Sequence, residues 1–230
     1  MKTVLIYSGG LDSTCLLYAL LREAKFIGGD VKAIGFDYGQ RHKKELLAAQ
    51  KIAALAEVEY RVIDLSSITP LLSGSSQTDS KVAVPEGRYD ERSMKLTVVP
   101  NRNLIMLSIA AAWAISMKAD RVAYAAHAGD MAVYPDCRPA FVNAANAVFG
   151  LCDWHGVRLY APFVNLSKGG CLKAGVEAKA PFELTWSCYK GLDKHCGKCG
   201  ACTERREAFQ EAGVKDPTIY EEKKENHVHN

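Results

Sequence analysis

The 230-residue sequence has no apolar run long enough to cross a membrane. The longest, IMLSIAAAWAISM at 105–117, holds two serines and falls short of the ~20 residues a span needs. Charge of one sign is also lacking: 29 Lys and Arg stand against 26 Asp and Glu, a formal net charge of +3. The basic residues are scattered rather than clustered, which argues against a polyanion such as nucleic acid as the main partner. The apolar start is broken early by Gly9, Gly10 and Asp12, and no small-residue cleavage pattern follows, so a cytoplasmic chain is expected. There are no internal repeats and no clear linker. Two common phosphate-binding signatures are missing as well. No G-x-x-x-x-G-K-S/T occurs, which excludes a P-loop NTPase, and the first loop lacks the third glycine of a dinucleotide fingerprint.

What is present is an alternation of strand and helix patterns. KTVLIY (2–7), KAIGFDY (32–38) and VEYRVIDL (58–65) read as strands, separated by helical spacing over 11–24 and 41–57. This β-α-β-α-β order predicts a parallel sheet covered by helices, a Rossmann-like doubly wound α/β fold. Residues 66–97 read as a long loop near the ligand face. A helix over 103–119, a strand over 121–126, a helix over 139–150 and a short strand VRLYAPF at 157–163 follow. The expected organisation is a main domain over 1–187, a cysteine cluster with a C-terminal helix over 188–215, and a flexible, solvated tail over 216–230.

The stretch YSGGLDST at 7–14 sits at the end of the first strand, where a doubly wound sheet binds ligands. A plain strand-to-helix turn is one reading. A phosphate loop is the other: glycines let the backbone approach an anion, and the free amides of the first helical turn donate to it. Ser8, Ser13 and Thr14 add hydroxyl donors. Asp12 would repel a polyphosphate unless a cation such as Mg²⁺ intervenes.

Eight cysteines are present, four of them crowded into SCYKGLDKHCGKCGAC. Cys188, Cys196, Cys199 and Cys202 are spaced by 8, 3 and 3 residues, which suits one tetrahedral Zn²⁺ with a structural role. A redox C-x-x-C would not need four cysteines, and an iron–sulfur cluster stays open as the lesser rival. His195 could compete with Cys196, and Lys194, Lys198 and Arg205 could offset the thiolate charge.

The loop SGGLDS resembles the pyrophosphate loop of the ATP pyrophosphatase (PP-loop) superfamily. SGGLDST, FDYGQRH (36–42), VIDLS (62–66), VPNRNLIMLS (99–108), YPDCRP (134–139), LTWSC (184–188) and the cysteine cluster together resemble the 7-cyano-7-deazaguanine synthases, from about Val4 to Phe209. That resemblance implies a ligase acting on 7-carboxy-7-deazaguanine, ATP and ammonia, with AMP and pyrophosphate released, Mg²⁺ accompanying ATP, and a homodimer. It implies ATP contacts from Tyr7, Ser8, Gly9, Gly10, Leu11, Asp12, Ser13 and Thr14, joined by Tyr38, Gln40 and Arg41. Asp12, Arg102 and Lys168 become the catalytic candidates. Arg102, Tyr134, Asp136 and Arg138 become the substrate contacts, although an Asp–Arg pair in a loop is also an ordinary salt bridge. Asn101 and Asn103 flank Arg102 as further donors.

The chain departs from the family pattern at two places. HAGDM (127–131) leaves His127 and Asp130 as substrate-shaping or merely polar loop residues. Gly169, Gly170 and Cys171 follow Lys168, and glycines disfavour a helix interior, which puts the geometry around Lys168 in question. Rival readings are a relative that stops at the amide, a tRNA-thiolating PP-loop enzyme, and a zinc module without catalysis.

Overall fold

The computed structural model describes residues 1–87, 95–131 and 134–221. Its centre is a five-stranded sheet of order β3-β2-β1-β4-β5 with every adjacent pair parallel. β1 (Lys2–Ile6) leads through α1 (Leu11–Ile27) to β2 (Asp30–Asp37), then α2 (Lys44–Leu55) and β3 (Tyr60–Asp64). After a long excursion come α3 (Arg102–Ser116), β4 (Arg121–Ala123), α4 (Pro139–Phe149), β5 (Arg158–Tyr160), α5 (Lys168–Glu177) and α6 (Gly200–Ala212).

Strand alternation divides the core. Val4, Ile34 and Val122 face one layer, where α3 and α4 supply Leu107, Ala110, Ala114 and Phe149. Leu5, Ala33 and Ala123 face the other, with Leu16 and Leu17 of α1, Ile52 of α2, Leu172 of α5 and Phe209 of α6. Both faces of a parallel sheet are thereby covered, and its strands read as apolar runs for that reason. The chain leaves β1 toward β2 on one side and enters β4 on the other. The carboxyl ends of β1 and β4 therefore border the crevice where strand order reverses.

β4 ends at Ala123, earlier than the strand expected to 126. Tyr124 N–H still donates to the Tyr160 carbonyl at 3.2 Å. The chain then leaves the ladder, and Ala125 and Ala126 line the cleft.

The doubt about residues 168–170 resolves in favour of a helix. Ser167 caps α5, its hydroxyl accepting from Gly170 N–H at 3.0 Å. A Cβ at Gly169 would run into Glu211 of α6, and one at Gly175 would lie 2.6 Å from the Cys15 sulfur of α1. These glycines let α5 wedge between two helices, and close packing offsets their low helix propensity.

Part of the excursion after β3 is packed. Ser66–Leu71 forms a 3₁₀ turn, and Ser75, Ser76, Gln77 and Thr97 are buried. The loop reading for 66–97 otherwise includes 88–94, outside the described residues. The expected tail also divides: Thr218 and Tyr220 lie against the cysteine unit, whereas 222–230 lie outside the described residues.

Candidate functional site

One cleft opens at the carboxyl ends of β1, β2 and β4, floored by the first loop. α1 starts at Leu11 with Gly10 as its extended N-cap and no side-chain cap, so its first amides are left for a ligand. Ser8, Gly10, Leu11, Asp12 and Ser13 line the cleft. Ser8 Oγ accepts from Gly10 N–H at 3.2 Å and lies 3.1 Å from Ser13 Oγ. Gly9 has φ +80°, and a Cβ there would run into the backbone of α2 at Glu45 and Ala49. Its carbonyl accepts from Trp186 N–H at 3.0 Å. Thr14 is fully buried and pairs with the Tyr7 hydroxyl at 3.2 Å, so these two hydroxyls face the core. Tyr7 reaches the cleft at the strand end.

Asp12 sits among charged groups from three other segments. Its Oδ2 lies 3.4 Å from Lys168 Nζ at the start of α5 and 3.6 Å from His127 Nε2. Lys168 also contacts Glu204 of α6 at 3.2 Å, and His127 Nε2 lies 3.3 Å from Asp130. Burial alone would push the Asp12 carboxyl up, but the Lys168 ammonium and the His127 ring outweigh it and hold the group well below the usual carboxylate range. Burial disfavours charge on Lys168 too, yet Asp12, Glu204 and Asp130 keep it firmly protonated. Asp130 moves the other way: burial raises its pKa, only partly countered by His127 and Lys168. The second oxygen of Asp12, Oδ1, is buried and makes no hydrogen bond among the described residues. A buried carboxylate oxygen without a partner is costly, and a hard divalent cation is a ligand that suits it.

The opposite wall is aromatic and cationic. Arg102, at the start of α3, donates from Nη1 to the Tyr38 hydroxyl at 3.1 Å and to Gln77 Oε1 at 3.0 Å. Burial pushes the Tyr38 phenol up to about 12, with Arg102 pulling it back. Tyr134 lines the cleft with its hydroxyl 2.5 Å from Thr97 Oγ1, and Asn103 lines it as well.

Other candidates lie elsewhere. Gln40 is buried and braces its own turn, donating to the Phe36 carbonyl at 3.0 Å. Arg41 turns away to donate to the carbonyls of Asp79 and Val82 at 2.6 and 2.9 Å. Asp136 and Arg138 do not line the cleft; Arg138 is exposed and donates to the Met131 carbonyl at 2.8 Å. The 3₁₀ turn Pro135–Cys137 points their positions outward and presents Cys137 and Tyr134 instead. Asn101 also lies off the cleft, at φ 55°. Sequence reasoning missed Gln77 and Glu204, which reach the site from a serine-rich loop and the cysteine helix, regions with no local signal of a ligand. Trp186 had such a signal in LTWSC, but no role was attached to it.

Cys188, Cys196, Cys199 and Cys202 are buried, with all four sulfurs within 4.8 Å of one another. The amides of Lys198 and Cys199 point at Cys196 Sγ at 3.4 and 3.3 Å, and Cys196 N–H points at Cys188 Sγ at 3.4 Å. Four converging sulfurs, those of Cys188 and Cys196 receiving amide hydrogens, are a donor set for a thiophilic metal ion. His195 is not a fifth candidate: its Nε2 accepts from Ser187 N–H at 3.1 Å, and its ring stacks on Trp186 at 4.3 Å. Nor is Arg205 a counter-charge to the sulfurs. It is buried, and donates to Thr185, Ser187, Thr218 and the Phe182 carbonyl. The unit meets the cleft directly, because Trp186, Ser187 and Tyr189 line it and Trp186 Nε1 donates to the Cys188 carbonyl at 2.9 Å.

Comparison with known proteins places these features in a context. The family model "Queuosine biosynthesis protein QueC" matches residues 2–213. A 7-cyano-7-deazaguanine synthase of Methanoregula boonei is 53% identical over 96% of this chain and 100% of its own length. A second, 7-cyano-7-deazaguanine synthase 1 of Mesorhizobium japonicum, is 50% identical over 96% and 94%. Among solved structures, the U34-tRNA thiolase NcsA of Methanococcus maripaludis, with its [4Fe-4S] cluster, aligns with a TM-score of 0.51. It covers 91% of this chain and 66% of that one at 17% identity, which is a likeness of fold alone.

Proposed function

Since the chain belongs to the QueC family of queuosine biosynthesis proteins, we propose that it is a 7-cyano-7-deazaguanine synthase whose chemistry runs in the cleft above the first loop. The observation that carries this reading is the meeting of the SGGLDS amides, Asp12 and Lys168 at the strand-order switch point, opposite Arg102 and the aromatic wall. Two adenylations suit such a site. In the first, an oxygen of the 7-carboxylate attacks the α-phosphorus of ATP, the α–β bond breaks and pyrophosphate leaves. Ammonia then adds to the acyl carbon, AMP leaves with the former carboxylate oxygen, and loss of a proton gives the amide. In the second, the amide oxygen attacks a second ATP in the same way. Both N–H protons are lost as AMP departs with that oxygen, and the nitrile remains.

The residues of this chain bind and neutralise rather than attack, so no activated Ser or Cys nucleophile is needed. The loop amides and Lys168 receive the negative charge that builds on the leaving pyrophosphate. Arg102, held by Tyr38 and Gln77, offers a fixed cation to the substrate carboxylate or a phosphate. Tyr134 offers a face to the deazapurine. Asp12, through Oδ1, is the residue fitted to hold Mg²⁺, which when bound supplies charge neutralisation at the phosphates. The four cysteines fit one structural Zn²⁺. Bonds of about 2.3 Å put tetrahedral sulfurs ~3.8 Å apart, whereas a four-iron cluster binds each thiolate to a different corner and spreads them further.

The test is a mass-spectrometric assay with the 7-carboxy compound, ATP, Mg²⁺ and ammonium. Nitrile, AMP and pyrophosphate are expected, and the 7-amido compound should give nitrile in ammonium-free buffer. Accumulation of amide alone under excess ATP would make the chain an amide-releasing relative, and ADP among the products would point to a different ATP chemistry.

A further inference from the structure

The reaction described above assigns nothing to His127, whose side chain is 2% exposed just behind the cleft wall. A buried histidine that merely fills space usually bonds a backbone group through at least one nitrogen. Here, among the described residues, neither Nδ1 nor Nε2 has a hydrogen-bond partner. What the ring faces is two carboxylates: Nε2 lies 3.6 Å from Asp12 Oδ2 and 3.3 Å from Asp130 Oδ2. Its other side borders Gly129, where a Cβ would lie 3.0 Å from Nδ1 and 3.1 Å from Cε1, so the glycine leaves the ring its space. The buried ring therefore points its Nε2 edge at the two acids.

The two oxygens of Asp12 are treated unequally. Oδ2 has the Lys168 ammonium at 3.4 Å and the His127 ring at 3.6 Å, while Oδ1 is buried and has no hydrogen-bond partner among the described residues. We propose that His127 is a positioning residue: backed by Asp130, it holds Oδ2 together with Lys168 and so presents Oδ1 to the cation that accompanies ATP. Lys168 alone could neutralise Asp12, but its long side chain also serves Glu204 and does not set the plane of the carboxylate. A rigid, buried ring does. This rests on the reading that Asp12 serves the nucleotide phosphates.

The experiment titrates Mn²⁺, followed by electron paramagnetic resonance, into the full-length protein saturated with α,β-methylene ATP. His127→Phe keeps the ring volume and removes both nitrogens, and His127→Gln restores a donor. A positioning role predicts that phenylalanine weakens Mn²⁺ binding by about 10-fold or more, the effect of losing a contact to a charged group. Glutamine should recover most of that loss, and the KM for the acid substrate should stay near wild type while kcat falls. Mn²⁺ binding by His127→Phe within about threefold of wild type, or glutamine as damaging as phenylalanine, overturns the proposal. Should the phenylalanine variant not fold, the same titration on Asp130→Asn, which removes the charge behind the ring, decides: Mn²⁺ binding weakened by about 10-fold supports the role, and binding within about threefold of wild type overturns it. Asp12→Asn is the control for the underlying reading: if it binds Mn²⁺ as wild type does, the role given to Asp12 fails independently of His127.

Discussion

Asp12 gathers more charged neighbours than any ordinary surface carboxylate would, and its two oxygens divide the work. Asp12→Asn keeps the shape and removes the charge that faces Lys168 and His127. AMP formation should fall by at least ~100-fold, the scale of losing one electrostatic contact at a reacting phosphate, with nucleotide binding reduced less; a coupled AMP assay reads it. The cysteines permit a second check at this scale. Burial pushes the thiols of Cys15, Cys137 and Cys171 up, and only Cys152 is exposed. With the cluster cysteines engaged by metal, a colorimetric thiol reagent at pH 8 should find a single fast-reacting group, lost in Cys152→Ser. Several fast thiols in the native protein would mean that the cluster cysteines are not engaged.

Among the elements, α5 shows how packing overrules propensity. Gly175 has the Cys15 sulfur and the Phe182 ring where a Cβ would go. Gly175→Val should therefore destabilise the protein by about 1–3 kcal/mol through overpacking, although valine is the better helix former; urea unfolding measures it. The order of strands and helices was legible because apolar periodicity is a property of adjacent residues, and the loop SGGLDS and the cysteine spacing are equally local. Residues 168–170 were harder to place, since Gly169 is explained by Glu211, more than forty positions away. Asp136 and Arg138 looked suited to the substrate by chemistry, but which residues of a short 3₁₀ turn face inward depends on Tyr124 and Thr97 beyond it. Gln77 and Glu204 gave no local sign because each gains its partner only when distant segments meet, and His127 is visible in HAGDM without a role because its contact with Asp12 is equally distant.

At the scale of the whole molecule, the cysteine unit is part of the cleft rather than an appendage. Trp186 joins them, with its amide on Gly9, its indole N–H on Cys188 and its ring on His195. Arg205 ties the same segment to α6 and to Thr218. Metal removal should therefore act on both functions of the unit. Stripping the metal with a chelator, or replacing Cys199 by Ser, should lower the thermal midpoint and also weaken ATP binding by about 10-fold, since a wall of the site loses its anchor. Calorimetric titration of ATP after chelation checks this; unchanged affinity would show that the cleft stands without the metal.

The bond from Trp186 to Gly9 joins residues far apart in the sequence, and time is implicit in it. The first loop leaves the ribosome well before its partner, because Gly9 precedes Trp186 in the sequence. At ~5–20 residues per second, the phosphate loop waits on the order of ten seconds or more for the residue that closes it. A nascent chain thus carries the signature of a nucleotide site long before it has one. If the cluster is metal-bound as proposed, metal starvation should leave chains with an unfinished cleft, seen as weaker ATP binding by protein made without added zinc.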